Sequence, residues 1–295
     1  MNGLHRPPLR NVLSACIMLS LLASACAPRD LRQSTRDMGI AQGFAEQLLP
    51  TPYFTLYSQY RQGRGNTLHV YIEGDGHAWL NRTTPSDDPT PHNPMGLLLA
   101  LNDPSPCPVL YLARPCQYVG ARQCDRRYWT DARMHEHVIA ALGTAIDKVK
   151  AASGTEHVVL VGFSGGGGCA VLLAAQRNDV VFLGTVAGNV HVAAWTELHQ
   201  LSPLTHSLEP FAAAPLVRHI PQRHLAGDAD SIIPPELSKK FCQAVGRPES
   251  CRTVHGIGHH GAWQNIWDYS YPAAGSKTAP ETAASSTRQQ PHSGR

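Results

Sequence analysis

The chain of 295 residues is long enough for one large domain or two small ones, and 42% hydrophobic with 16% charged residues is an ordinary globular balance. That balance argues against a mainly disordered chain and against a polytopic membrane protein. The formal charge of +3 falls to +1 once residues 1–25, which carry Arg6 and Arg10 and no acid, are set aside, so no nucleic-acid partner is expected.

Arg6 and Arg10 precede an apolar run from Val12 to Cys26 that closes on Ala23, Ser24, Ala25 and Cys26, the pattern of an export signal. At 15 residues the run is shorter than the roughly 20 that span a bilayer. Leu13, Ser14, Ala15 and Cys16 have the better lipobox residue types, but a cut there leaves almost no apolar run ahead of it. Cys26 is therefore the expected lipidation site, after a signal peptide over 1–25 and before a tether over 26–37. The protein would then reach a membrane through an N-terminal lipid anchor (palmitate among its chains) in the bacterial cell envelope. Ala27 stands where an inner-membrane retention signal places Asp, so an outer-membrane lipoprotein facing periplasm or cell surface is expected. Ala23, Ser24 and Ala25 also satisfy ordinary signal cleavage, which leaves a secreted protein as the alternative.

A helix is expected over 31–49, with Met38, Ala41, Ala45 and Leu48 on one stripe. Six short apolar or β-branched runs then read as strands: Leu68 to Ile72, Val109 to Ala113, His157 to Val161, Val180 to Val186, Gln222 to Ala226 and Cys251 to His255. Helical patterns lie between them, clearest from Asp131 to Ala152, where Met134, Val138, Leu142, Ile146 and Val149 recur. Apolar strands alternating with helices imply an α/β domain over 38–271, a mainly parallel sheet with helices on both faces. The last 24 residues, 272–295, contain no Val, Ile, Leu, Met, Phe, Tyr or Trp and are expected to form a disordered tail.

Export permits disulfides, and Cys116 with Cys124 and Cys242 with Cys251 are close in sequence at loops or element ends, so these pairs are expected. Cys169 falls in a small-residue helix and is expected to be a buried free thiol. No cysteine spacing is CxxC, and no metal site is expected.

The chemistry is carried by Gly162, Phe163, Ser164, Gly165 and Gly166, which follow a strand and open a helix. This is GxSxG in the strand, turn and helix context that gives it meaning, because a sharp turn lifts the serine above the C-terminal edge of the sheet. A Walker lysine is missing, which disfavours a phosphate cradle. A serine needs a base and an orienting acid, in the order acid and then His downstream. Asp230, in the loop from Gly227 to Pro234, is the expected acid, with Asp228 as its competitor. His259, in the loop after the last strand, is the expected base, with His255 and His260 as rivals. A tetrahedral oxyanion needs preorganised N–H donors: Gly165 supplies one, and Asp75, in the turn after Val70, Tyr71 and Ile72, is expected to supply the other.

With these motifs in order, the chain from Leu68 to Trp263 resembles the α/β-hydrolase fold superfamily. Tyr71 to Trp79 (YIEGDGHAW), Asp88 to Pro91 (DPTP), Arg114 to Gln117 (RPCQ) and Ala187 to Asn189 resemble a group of uncharacterised proteobacterial exported hydrolases. The resemblance implies the fold, the Ser, Asp, His order and an ester-like scissile bond. Glu73 stands where many esterases carry a histidine. The expected activity is that of a serine hydrolase, a carboxylesterase acting on a small-molecule or lipid acyl ester without a cofactor. The same triad serves a peptidase, amidase or acyltransferase, and a further alternative is a non-catalytic envelope lipoprotein.

Three weaker features flank these motifs. Asn81 to Pro94 reads as a rigid proline-rich loop beside the site, and Arg114 and Gln117 as residues pairing within the Cys116 loop. Asn189 to Pro221 reads as a short cap, with Trp195, Leu198, Leu201, Leu204 and Leu208 as candidates for an apolar acyl wall. Trp79 and Trp263 are expected to be packing residues.

Overall fold

The computed structural model describes residues 30–120 and 124–272. The signal run, Cys26, the first tether residues and almost all of the expected tail lie outside them. Among the described residues no helix is long and apolar enough to cross a membrane.

Among the described residues eight strands form one sheet. In chain order they are β1 (Ala45–Pro50), β2 (Thr55–Arg61), β3 (Thr67–Ile72), β4 (Val109–Leu112), β5 (His157–Phe163), β6 (Val180–Val186), β7 (Gln222–Gly227) and β8 (Cys251–Val254), arranged β1-β2-β4-β3-β5-β6-β7-β8. From β4 onward every neighbouring pair is parallel, while β1 pairs with β2 and β2 with β4 antiparallel. The helices are α1 (Leu31–Ile40), α2 (Met95–Leu101), α3 (Glu136–Ser153), α4 (Gly165–Ala174), α5 (Val192–Leu198) and α6 (Pro235–Val245).

Strand alternation sorts the core into two layers. Leu68, Val70 and Ile72 of β3 and Val158 and Leu160 of β5 face α3, α4 and Phe241 of α6. Tyr71, Val159, Val161 and Phe163 point the other way, onto α2, Trp263 and Trp267. Helices therefore cover the first face, while the second is closed by the short α2 and the chain from Trp263 to Tyr271. A buried polar cluster fastens that chain: Asp103 accepts from the Tyr71 hydroxyl at 2.7 Å and meets His69 Nδ1 at 2.7 Å, and Tyr271 Oη lies 2.8 Å from Tyr71 Oη.

The six expected strands are all present, within two residues at their ends. The N-terminal reading needs correction. The helix stops at Ile40, a turn with Gly43 at φ 77° follows, and Ala45 and Leu48 belong to β1. Residues 31–37, expected as tether, instead lie in α1, which docks on the β1-β2 hairpin: Gln59 Nε2 donates to Thr35 O at 2.8 Å, and Arg32 pairs with Glu46.

Candidate active site

The turn between β5 and α4 fixes Ser164 with φ 50° and ψ −121°, outside the regions comfortable for a residue with a Cβ. Its backbone is held from three sides: its N–H donates to Val186 O at 3.0 Å, and its carbonyl accepts from Gly167 N and Asn189 N, both at 2.9 Å. The turn closes because Gly162 and Gly166 meet face to face; a Cβ on Gly162 would lie 2.1 Å from Gly166 O.

His259, from the loop after β8, places Nε2 3.0 Å from Ser164 Oγ and Nδ1 2.8 Å from Asp230 Oδ2. Asp230 uses its other oxygen to accept from Ile232 N and Ile233 N, both at 2.8 Å, so the carboxylate is oriented by the loop beyond β7. Trp263 Nε1 donates to His259 O at 3.0 Å and Phe163 packs against the imidazole, fixing the base from behind. Ser164, Asp230 and His259 are all buried. The rivals sort themselves by geometry. Asp228 pairs with His255 and accepts from Gly256 N at 2.7 Å, a local closure of the loop. His260 stands edge-on to His259, and burial, then His259, lower its pKa.

The turn after β3 approaches Ser164 from the other side. Among the described residues neither the Asp75 N–H nor the Gly165 N–H has a hydrogen-bond acceptor. The Asp75 carboxylate is clamped: Arg114 Nη1 lies 3.2 Å from Oδ1 and Arg133 Nη1 lies 2.8 Å from Oδ2. Burial would raise its pKa, but Arg133 and then Arg114 outweigh that and hold it below the usual carboxylate value. Arg114 and Gln117 thus reach beyond their own loop. Gln117 Oε1 accepts from Arg114 N at 3.0 Å, while its Nε2 donates to Gly74 O at 3.0 Å, bracing the same turn. Glu73 turns away from Ser164, accepting from Gly74 N at 2.9 Å, from Gly96 N of α2 and from Tyr111 Oη at 3.1 Å. Burial pushes it up to about 6 against the pull of those donors.

No protein-family model and no curated protein matches the sequence. Among solved structures the chain is similar to an α/β serine hydrolase homologue from Coxiella burnetii, at 16% identity and TM-score 0.53 over 75% of this chain and 92% of that one. It is similar also to Est1E from Butyrivibrio proteoclasticus, at 13% identity and TM-score 0.54 over 76% and 93%. A membrane phospholipase A described as a bacterial virulence factor matches at 16% identity and TM-score 0.53 over 85% and 92%. The fold is that of the α/β hydrolases.

Above this α/β-hydrolase sheet two cavities adjoin. One, of about 420 Å³, holds Ser164 and His259 and is walled by Asp75, His77, His92 and Asn189. The other, of about 900 Å³, is lined by Arg82, His199, Leu201 and Leu204. Trp79, Arg133, Trp195 and Ile232 line both. Of the expected cap residues, Trp195, Leu201 and Leu204 line the larger cavity, and Leu204 also packs against the core. Leu198 is exposed, and Leu208 lines a separate small cavity. Trp263 is packed as expected, whereas Trp79 is 38% exposed at the cavity wall. The proline-rich loop contributes Pro91, His92 and Asn93.

Cys116 and Cys124 pair with Cα atoms 5.5 Å apart, and Cys242 and Cys251 with Cα atoms 6.1 Å apart. Cys169 is a buried free thiol whose pKa burial raises to about 11. Arg133 is the site residue that sequence reasoning missed. Its only sequence signal is its place ahead of a helix, which marks no chemistry.

Proposed function

We propose that the protein is a serine hydrolase that cleaves acyl esters through an acyl-enzyme. The observation that carries the reading is the unbroken hydrogen-bonded chain from Ser164 Oγ through His259 to Asp230. Ser164 attacks the ester carbonyl as His259 Nε2 takes its proton, and Asp230 holds the tautomer with the proton on Nδ1 and stabilises the imidazolium. The negative charge that develops on the carbonyl oxygen is met by the N–H groups of Asp75 and Gly165. His259 then returns the proton to the leaving alkoxide. Water, deprotonated by the same histidine, attacks the acyl-enzyme and releases the acid. The similarity to structures named as a serine hydrolase homologue and a phospholipase A supports the reaction class.

A fluorophosphonate probe tests it: wild-type protein labels at Ser164, and Ser164→Ala, folded by circular dichroism, does not. Folded wild type that stays unlabelled overturns the reading.

A further inference from the structure

Arg133 is more constrained than a counter-ion for Asp75 needs to be. Its Nε donates to Thr130 O at 2.7 Å, its Nη1 to Asp75, and its backbone carbonyl accepts from Arg114 Nη2. Its guanidinium carbon sits 5.5 Å from the centre of the Trp195 ring. The side chain is only 6% exposed, yet Nη2 has no acceptor among the described residues and is not sealed from solvent. Asp75 already has Arg114, so the cluster carries one cation more than its carboxylate requires. That surplus stands where the cavity holding Ser164 meets the larger one.

The neighbouring charges do not cancel it. Asp131, in the larger cavity, is hydrogen-bonded to His206, and its charge is balanced by Arg82, a second cation in that cavity. Asp230 is committed to His259 and the Ile232 and Ile233 amides, and Glu73 to the amides around Gly96. A guanidinium locked by packing and hydrogen bonds, with one amino group still open, is preorganised for an anion and loses little entropy on binding it.

We propose that this groove selects acyl esters that also bear an anionic group, a carboxylate or a phosphate, and that Arg133 is the residue that recognises it. The aromatic and aliphatic walls from Trp79, Trp195, Leu201 and Ile232 take the apolar part between ester and anion. The inference rests on the serine-hydrolase reading and adds the substrate class to it.

The test uses three chromogenic esters of matched chain length whose acyl ends are methyl, carboxylate or phosphate. Wild type is expected to favour one or both anionic esters over the neutral one by about tenfold or more in kcat/KM, as a charge-assisted hydrogen bond implies. The ratio should shrink as salt rises, fall towards one in Arg133→Gln, and survive in part in Arg133→Lys. Fluorophosphonate labelling is run on each preparation. Unlabelled wild type refutes the serine-hydrolase reading itself. Labelled wild type that prefers the neutral ester, or an anion preference that persists in Arg133→Gln, overturns this inference alone. If Arg133→Gln does not fold, wild type decides by its own ratio and salt dependence: an anion preference that salt leaves untouched overturns the inference.

Discussion

Replacing Gly165 with Ala sets two parts of the site against each other. A Cβ at 165 would lie 2.1 Å from Asp75 Oδ1 and 2.5 Å from its Cγ, so one partner must retreat by about 1.3 Å to reach ordinary contact. Asp75 is poorly placed to yield, since Arg114 and Arg133 hold both its oxygens. If it does, two buried guanidinium groups lose their partner, a break that costs about 3–5 kcal/mol of stability. If the turn at Ser164 moves instead, the Gly165 N–H leaves the oxyanion position, at a cost of about 2.7–4 kcal/mol, or 10²–10³ in kcat. Gly165→Ala is therefore expected to lose about 3 kcal/mol in urea unfolding or at least about 100-fold in ester kcat/KM. Gly143→Ala is the control, because its Cβ would meet nothing closer than Leu173 Cδ2 at 3.5 Å. A Gly165→Ala protein as stable as that control and as active as wild type would refute the argument.

Asp230→Asn should keep the fold and lower kcat by about 10⁴ at neutral pH, because the amide stabilises the wrong imidazole tautomer; stopped esterase assays with less than a tenfold loss would remove Asp230 from the mechanism. Glu73 keeps its proton in the folded protein up to about pH 6, against 4.5 ordinarily, so its stabilising contribution is complete below pH 4.5 and is lost as pH rises through 6. Urea unfolding of wild type and Glu73→Gln should therefore shift by about 2 kcal/mol in favour of the variant between pH 4 and pH 7, and a shift of the opposite sign contradicts it. Opening Cys242–Cys251 by a double Ser substitution should cost about 2–3 kcal/mol, as closing so short a loop implies; non-reducing peptide maps that find both thiols free would end that expectation. Cys26→Ser should move the protein from the membrane to the soluble fraction, and a variant that still sediments with membranes argues against the anchor.

The parallel part of the sheet was legible because strands such as Leu68 to Ile72 and His157 to Val161 are buried on both faces and so read as continuous apolar runs. The β1-β2 hairpin was not. Glu46 and Gln47 in β1 and Ser58 and Gln59 in β2 break any alternation, and Ala45 and Leu48 fall by chance on the stripe of the preceding helix. Ser164, Asp230 and His259 could be picked out because each sits in a short glycine- or proline-bounded loop after a strand and the order of the three is fixed. Arg133 meets Asp75 across 58 residues, and such a contact leaves no local trace. The Asp75 carboxylate is the hub of an ion cluster with Arg114 and Arg133, and the sequence shows only its place in a turn, for the same reason.

The backbone angles of Ser164 bear on how this chain could drift. A φ of 50° with ψ −121° costs a residue with a Cβ on the order of 1–3 kcal/mol, and glycine would be relieved of most of it. Stability and chemistry are therefore antagonists at one codon: the substitution that relaxes the turn deletes the hydroxyl. A passive scaffold has no use for the serine and would gain by losing it. Position 164 thus acts as a meter of whether a relative with this fold still works for its living or only holds its shape.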